Sequence, residues 1–276
     1  MIEIKNLDFG YKATPVLKNI NLSIREGAIY GLLGENGVGK TTLLKLICGL
    51  LPTDAGTVEV DGATAFDREP DMLQNIFLLP DEVRLPYSGT PIRYVGEMAP
   101  FYPNYSEDDF RHLMQELEVE PERKFREMSF GQQKKSLLAC ALSLNTKYVL
   151  LDEPTNGLDI PSKSQLRSIL TQRIGGESTI IISTHQVKDV ENLIDPIIIL
   201  SNNDVLLNAT IEEISRKFFF EYGGVANPEA LFSEQLPGGY TNVTINTSGE
   251  ESQPNIEALF NAVLHNKKRV KELMNQ

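Results

Sequence analysis

Gly34-Glu35-Asn36-Gly37-Val38-Gly39-Lys40-Thr41 is the stretch that decides the reading of this 276-residue sequence. It fits the spacing G-x-x-x-x-G-K-[ST], in which glycines let successive backbone N–H groups converge on phosphate oxygens. Lys40 brings positive charge to the outer phosphates, the Thr41 hydroxyl can ligate Mg²⁺, and Thr42 extends the same run of nucleotide-binding positions. With Gly at about 7% of average usage, a chance match in a chain of this length is about a one-in-a-hundred event. The flanks decide it. Ala28-Ile29-Tyr30-Gly31-Leu32-Leu33 reads as a short apolar strand, and Thr41 to Leu50 places Leu43, Leu44, Leu46, Ile47 and Leu50 at helical spacing, with Gly49 as a stop. A strand, a glycine loop and a helix N-terminus make an anion site, so ATP with Mg²⁺ is the expected occupant.

Composition narrows the class. The chain is 41% hydrophobic and 23% charged, as a globular protein with a sizeable core is. No stretch approaches the roughly 18 to 20 apolar residues that cross a bilayer, and Met1-Ile2-Glu3-Ile4-Lys5 lacks the shape of a signal peptide, so a cytoplasmic chain is expected. Cys48 and Cys140 sit in apolar helical runs without C-x-x-C spacing and read as buried thiols. A net charge of −12 argues against a general nucleic-acid binder, whose affinity needs Lys and Arg on phosphates. It does not argue against ATP, because screening over about 8 Å removes distant repulsion while Lys40 and the loop amides act in contact.

Two further motifs lie downstream. Tyr148-Val149-Leu150-Leu151 reads as a strand ending in Asp152-Glu153, where side chains face a ligand crevice. Asp152 is expected in the Mg²⁺ shell, and Glu153 as the general base that accepts a hydrogen bond from the attacking water. Met128-Ser129-Phe130-Gly131-Gln132-Gln133 precedes the apolar run Leu137 to Leu144, and the spacing of Ser129 and Gln132 predicts a capped helix start, a second anion site.

Taken in order, these motifs resemble the nucleotide-binding subunits of ABC transporters. The series is the loop at 34 to 41, Ser129-Phe130-Gly131-Gln132, Leu150-Leu151-Asp152-Glu153-Pro154-Thr155, Asn156-Gly157-Leu158-Asp159, then Ser183-Thr184-His185 after the strand Thr179 to Ile182. The resemblance covers about residues 1 to 215. It implies an α/β P-loop NTPase core of mostly parallel sheet with an antiparallel β subdomain; the residue patterns described below add an inserted helical subdomain at about 85 to 127 and a small C-terminal α+β appendage over 216 to 276. It also implies a head-to-tail dimer, with a second copy or a paralogous ATPase subunit, in which ATP on one Lys40 loop meets the other chain's Ser129, Gly131 and Gln132. Carried over singly, Tyr11 would stack on adenine, the alternative being an aromatic that merely ends an edge strand; Asp159 would contact the partner, and His185 would touch the γ-phosphate. A separate integral membrane transporter subunit would hold the dimer on the cytoplasmic face of the cell membrane.

Two positions depart from the family pattern. Phe130 replaces a glycine, which would reshape the trans contact. Asp81, after the strand Ile76-Phe77-Leu78-Leu79, replaces a glutamine; a carboxylate keeps a Mg²⁺-facing role but cannot donate hydrogen bonds. Prolines 86, 91, 100 and 103 mark the insertion, and Ser106 to Glu118 puts Phe110, Leu113, Met114 and Leu117 on one helical face. Phe101-Tyr102-Pro103-Asn104 resembles the branch serving exporters of antibiotics and amphiphiles; Tyr94, Phe101, Tyr102 and Tyr105 are either core or contacts to a membrane subunit. Beyond Leu200, Val205 to Leu207, a Thr210/Glu213 capping box, the strand-like Tyr240 to Ile245 and an apolar helix face at Ile256, Leu259, Phe260, Val263 and Leu264 follow, with Lys267, Lys268, Arg269 and Lys271 suited to a helix C-terminus. The alternative function is an ABC-type ATPase that remodels a cytosolic assembly. His112 and His265 match no motif.

Overall fold

In the computed structural model, which describes residues 1–274 except 84, 86, 87, 175 and 177, three sheets and nine helices share two apolar cores. Pro86, one of the prolines marking the insertion, lies outside the described residues. Strands β1 (Ile2–Tyr11) and β2 (Thr14–Ile24) pair antiparallel ahead of the fully buried β3 (Ile29–Leu33), and the glycine loop joins β3 to α1 (Lys40–Ile47). Gly49 has φ +64° just past α1, the stop that the sequence predicts. Then come β4 (Ala55–Val60), β5 (Ala63–Thr64), the single turn α2 (Pro70–Leu73) and β6 (Ile76–Leu79). The first sheet runs β2-β1-β4-β5, so β1 is flanked on both sides; Tyr11 ends an interior strand, not an edge.

The inserted segment holds α3 (Pro91–Met98) and α4 (Glu107–Glu116), capped by Thr90 and Ser106, whose hydroxyls accept from the backbone N–H of Arg93 and Asp109. Phe110, Leu113, Met114 and Leu117 are buried, largely against α5 (Phe130–Ser143). Next in the chain are β7 (Tyr148–Asp152), α6 (Ile160–Thr171), β8 (Thr179–Thr184), β9 (Ile197–Ser201) and β10 (Asp204–Ala209). The central sheet has the order β10-β9-β3-β8-β7-β6 and is parallel except for the edge pair β10 and β9. Its inner strands are apolar runs because both faces are covered.

Period-two alternation divides the two cores. Leu150, Ile181, Ile198 and Leu200 point toward α1 and the first sheet. Their neighbours Val149, Leu151, Ile180, Ile182, Ile197 and Ile199 point the other way, into the cluster built with α5 and α6. That second cluster continues into the C-terminal elements. α7 (Ile211–Lys217), opened by the Thr210/Glu213 capping box, runs directly into β11 (Phe218–Gly223); β12 (Phe232–Leu236) and β13 (Gly239–Ile245) complete a sheet of order β11-β13-β12. Helices α8 (Ile256–His265) and α9 (Lys267–Met274) follow, with Leu259, Val263 and Val270 in the same cluster as Ile197.

Lys267, Lys268 and Arg269 therefore open α9 rather than closing a helix, whereas Lys271 falls in its last turn, where a basic residue suits the helix end. Lys267 reaches the Ser201 hydroxyl at 3.1 Å, a tie at the end of the helix dipole unfavourable to a cation, and Lys271 reaches the Asp204 carboxylate at 2.5 Å.

One polar cluster pins the first sheet to β7. Asp61, just after β4, accepts hydrogen bonds from Lys147 (2.8 Å), from Tyr148 Oη (2.7 Å) and from the amino terminus. Burial pushes its carboxyl up, but these donors outweigh burial and hold it at about 2. A depressed carboxylate gives stability that is present above its ordinary value of 3.8 and is lost as pH falls through the folded value. The thermal midpoint should therefore drop more steeply below about pH 4 in the wild type than in Asp61→Asn; parallel pH profiles would contradict this.

Candidate functional site

The glycine loop leaves the C-terminal end of β3, Asp81 follows β6, Asp152 ends β7, and His185 follows β8. These are four neighbouring strands of one sheet, so their ends share a crevice. Two glycines explain the loop. Gly39 has φ +108° at the N-cap of α1, where no side chain caps the helix. At Gly34 a Cβ would sit 2.6 Å from the Leu200 carbonyl. Glu35, Asn36 and Gly37 are exposed at the loop's tip and Val38 is half-buried beside them.

Lys40 is buried and folds back over the loop, donating to the carbonyls of Gly34 (2.7 Å) and Glu35 (3.2 Å), with Glu153 Oε1 at 3.7 Å. Burial pushes its ammonium below the ordinary lysine value, and Glu153 and Asp152 pull it partly back. Thr41 donates to Asp152 Oδ2 at 2.5 Å, while Ser183 donates to Oδ1 at 2.7 Å. Thr42 is buried, and its hydroxyl lies 3.4 Å from Tyr11 Oη; the half-exposed Tyr11 ring stands edge-on to Phe9.

Glu153 is the strained residue of the site. Its φ is +46°, a left-handed conformation rare for a residue with a side chain. Its N–H donates to the Ser183 carbonyl at 2.8 Å, and its carboxylate accepts from Thr184 Oγ1 (3.0 Å) and the His185 N–H (3.1 Å), with His185 Nδ1 at 2.8 Å. A general base needs an aimed carboxylate, and this one is fixed from three sides.

Asp81 turns elsewhere. Its carboxylate accepts from Lys134 Nζ (3.4 Å) and Asn156 Nδ2 (3.3 Å), rather than bonding to the Thr41–Asp152 pair that the expected Mg²⁺-facing role would place it beside. Lys134, Asn156, Thr184 and Gln186 were not given roles by motif reading; a buried lysine one turn along α5 from Phe130 was the available signal, but its partner is 53 residues away.

Ser129 caps α5 as expected. Its hydroxyl accepts from the Gln132 N–H and the Gln132 side chain accepts from the Ser129 N–H. Among the described residues, no hydrogen bond joins Ser129, Gly131 or Gln132 to the glycine loop of the same chain. Asp159 caps α6 by accepting from Ser162 at 2.9 Å, a bond that holds its carboxyl below the usual range. Phe130 lies against Gly157, where a Cβ would come within 2.2 Å of its ring.

The ABC transporter family model matches residues 17–156, half of the chain. The protein belongs to the ABC transporter ATP-binding family. The ABC transporter ATP-binding protein YtrB of Bacillus subtilis is 30% identical over 219 residues, 79% of this chain and 75% of that protein. The lantibiotic transport ATP-binding protein SrtF of Streptococcus pyogenes is 29% identical over 86% of this chain and 97% of its own. Among solved structures, the dimeric ATP-binding cassette MJ0796, in a post-hydrolysis state bound to ADP and Pi, aligns with a TM-score of 0.67 at 25% identity, over 76% of this chain and 98% of its own. As a member of this ABC family the chain is an ATP-binding and ATP-hydrolysing subunit.

Gly157 also has φ +74°, so alanine there is penalised twice. Gly157→Ala should lose a small amount from the collision with the Phe130 ring, which is exposed and can swing aside, and about 1 kcal/mol or more from the left-handed backbone. Adding Phe130→Ala should recover only the first part, read by denaturant unfolding; full recovery would place the strain in the collision instead.

Proposed function

We propose that two copies of this chain clamp two ATP molecules, each copy supplying the Lys40 loop to one triphosphate and the Ser129 end of α5 to the other. The carrying observation is that Lys40, Thr41, Asp152, Glu153 and His185 converge in one chain, whereas among the described residues the exposed, capped start of α5 makes no hydrogen bond to them. Each chain thus offers half of a pocket twice over. The dimeric cassette with ADP and Pi supports this reading. Residues 1–215 form the catalytic cassette in this proposal, and 216–276 a C-terminal unit packed on it.

The donor set at β7 suits a hard cation. One carboxylate, one threonine hydroxyl and a serine hydroxyl that fixes the carboxylate leave room for water and phosphate oxygens, as Mg²⁺ prefers. Thr41 and Asp152 would hold the ion, whose charge would neutralise the β- and γ-phosphate oxygens. Lys40 gives up its loop carbonyls for the outer phosphates, Glu153 orients the attacking water and accepts its proton, and His185 faces the γ-phosphate while its Nδ1 fixes Glu153.

The membrane partner docks in a separate apolar groove. A cavity of about 700 Å³ between α2, β6 and α3 is lined by Leu50, Phe77, Met98, Phe101 and Tyr102, with Arg68 and Glu97 at polar positions. Phe101 is 73% exposed, whereas Tyr94 and Tyr102 pack edge-on against Phe125 and Phe77. An amphipathic helical segment of the transporter's membrane subunit fits this apolar groove. Export is the favoured direction, supported by the likeness to the lantibiotic transport protein SrtF and by Phe101-Tyr102-Pro103-Asn104.

Glu153→Gln should bind ATP as the wild type does, accumulate as dimer on gel filtration with Mg-ATP, and lose turnover by about 10²-fold or more; undiminished hydrolysis would remove Glu153 from its role. Lys40→Ala should instead weaken ATP affinity, by about tenfold or more for the loss of a charged hydrogen-bond donor, read by isothermal titration.

Phe101→Glu tests the groove. It should leave hydrolysis by the isolated subunit within about twofold, as a change at an exposed site does, while the variant no longer co-purifies with the membrane subunit; retained co-purification would move the docking site elsewhere.

A further inference from the structure

α5 presents two side chains, one turn apart, to the loops of the site. Phe130 rests on Gly157, and Lys134 is buried with its Nζ donating to the Asp81 carbonyl at 3.0 Å and to Asp81 Oδ1 at 3.4 Å. We propose that Lys134 is a positioning residue for ATP hydrolysis: through Asp81, Asn156 and Gln186 it fixes the two loops that carry Glu153 and His185.

Donation runs outward from Gln186, toward Asp81 on one side and toward Glu153 on the other. Asn156 Nδ2 donates to both Asp81 oxygens at 3.3 Å, and its own Oδ1 accepts from Gln186 Nε2 at 3.2 Å. Gln186 N–H donates to Thr184 Oγ1 at 3.0 Å, and Thr184 Oγ1 donates to Glu153 Oε2 at 3.0 Å. A second path is shorter, because the Asn156 N–H donates to the Glu153 carbonyl at 3.2 Å. Each group has the polarity that its neighbour needs. Asp81 only accepts, so it can hold two donors at once, Lys134 and Asn156; the Asn156 amide is thereby oriented with its oxygen toward Gln186. An ammonium buried without such a partner would be costly, which ties α5 to this one arrangement. A carboxylate at 81 and a lysine at 134 thus form one device, and the departure of Asp81 from the family's glutamine has its counterpart on α5.

The inference rests on the roles proposed above for Glu153 and His185, and the test separates the two. In steady-state hydrolysis by the purified protein, Lys134→Met should lower kcat by about tenfold, the worth of a hydrogen bond to a charged group, with KM for ATP within about twofold. Asp81→Asn should do the same, and the double variant should be no worse than the poorer single one, since both act through one chain of bonds. Gln186→Ala, at the half-buried far end, should also lower kcat alone with the melting temperature unchanged; it decides the matter if Lys134→Met does not fold. Wild-type kcat in either variant, losses that appear in KM, or additive effects would overturn the relay. Hydrolysis that persists in Glu153→Gln would instead overturn the underlying site assignment.

Discussion

Two buried ammonium groups, Lys40 and Lys134, need carboxylates, and the ends of β6 and β7 are where this chain supplies them. Burial alone drives both lysines toward the neutral form; Asp152 and Glu153 restore charge to the first, and Asp81 above all to the second. The arrangement is possible because β6, β7, β8 and β3 are adjacent and parallel, so that every C-terminal end opens on one edge. Hydrophobic alternation on those strands, sorting Leu150 to one core and Val149 and Leu151 to the other, is thus what brings the charges within reach of one another.

Glu153 shows what such an arrangement holds in place. A left-handed backbone costs a residue with a side chain about 1–2 kcal/mol, and it persists here because the Ser183 carbonyl, Thr184, His185 and Asn156 all bond to the same residue. The left-handed backbone turns the carboxylate toward Lys40 and His185, off the alternation between faces that an extended continuation of β7 would follow. Positioning is most of what phosphoryl transfer asks of a protein, so strain spent on aim is well placed.

The features legible in the sequence are those whose physics is local. The glycine loop, the Ser129/Gln132 and Thr210/Glu213 capping boxes and the apolar face of α4 are set within about one or two turns of chain, and each formed where the spacing put it. What could not be read depends on distant partners. β1 looks like a leading edge strand until β4 pairs with its free side. The basic residues 267 to 269 look like a helix end until Asn266 breaks the chain into α8 and α9, with Lys267 meeting Ser201, while Lys271 alone keeps a last-turn position. β12 is hidden because its residues, Phe232–Leu236, are largely polar and exposed, and only the register with β13 makes it a strand. Asp81 belongs to the same group, since its meaning is set by Lys134, which periodicity marks only as another residue of a capped helix.

The C-terminal elements bear on the site from its other side. Val187, two residues beyond His185, is buried in the same cluster as Ile256 and Leu259 of α8, and Lys188 pairs with Glu257 at 2.9 Å. The segment after β8 is therefore gripped twice, by apolar packing on α8 and by the Gln186–Asn156 bond on the β7 side. The two grips differ in kind. Packing of Val187 is short-ranged but non-directional and tolerates small shifts, whereas the amide bond fixes an orientation. In the proposed function His185 meets a phosphate at hydrogen-bond distance and so needs the second, while the first keeps the segment close enough for the second to form.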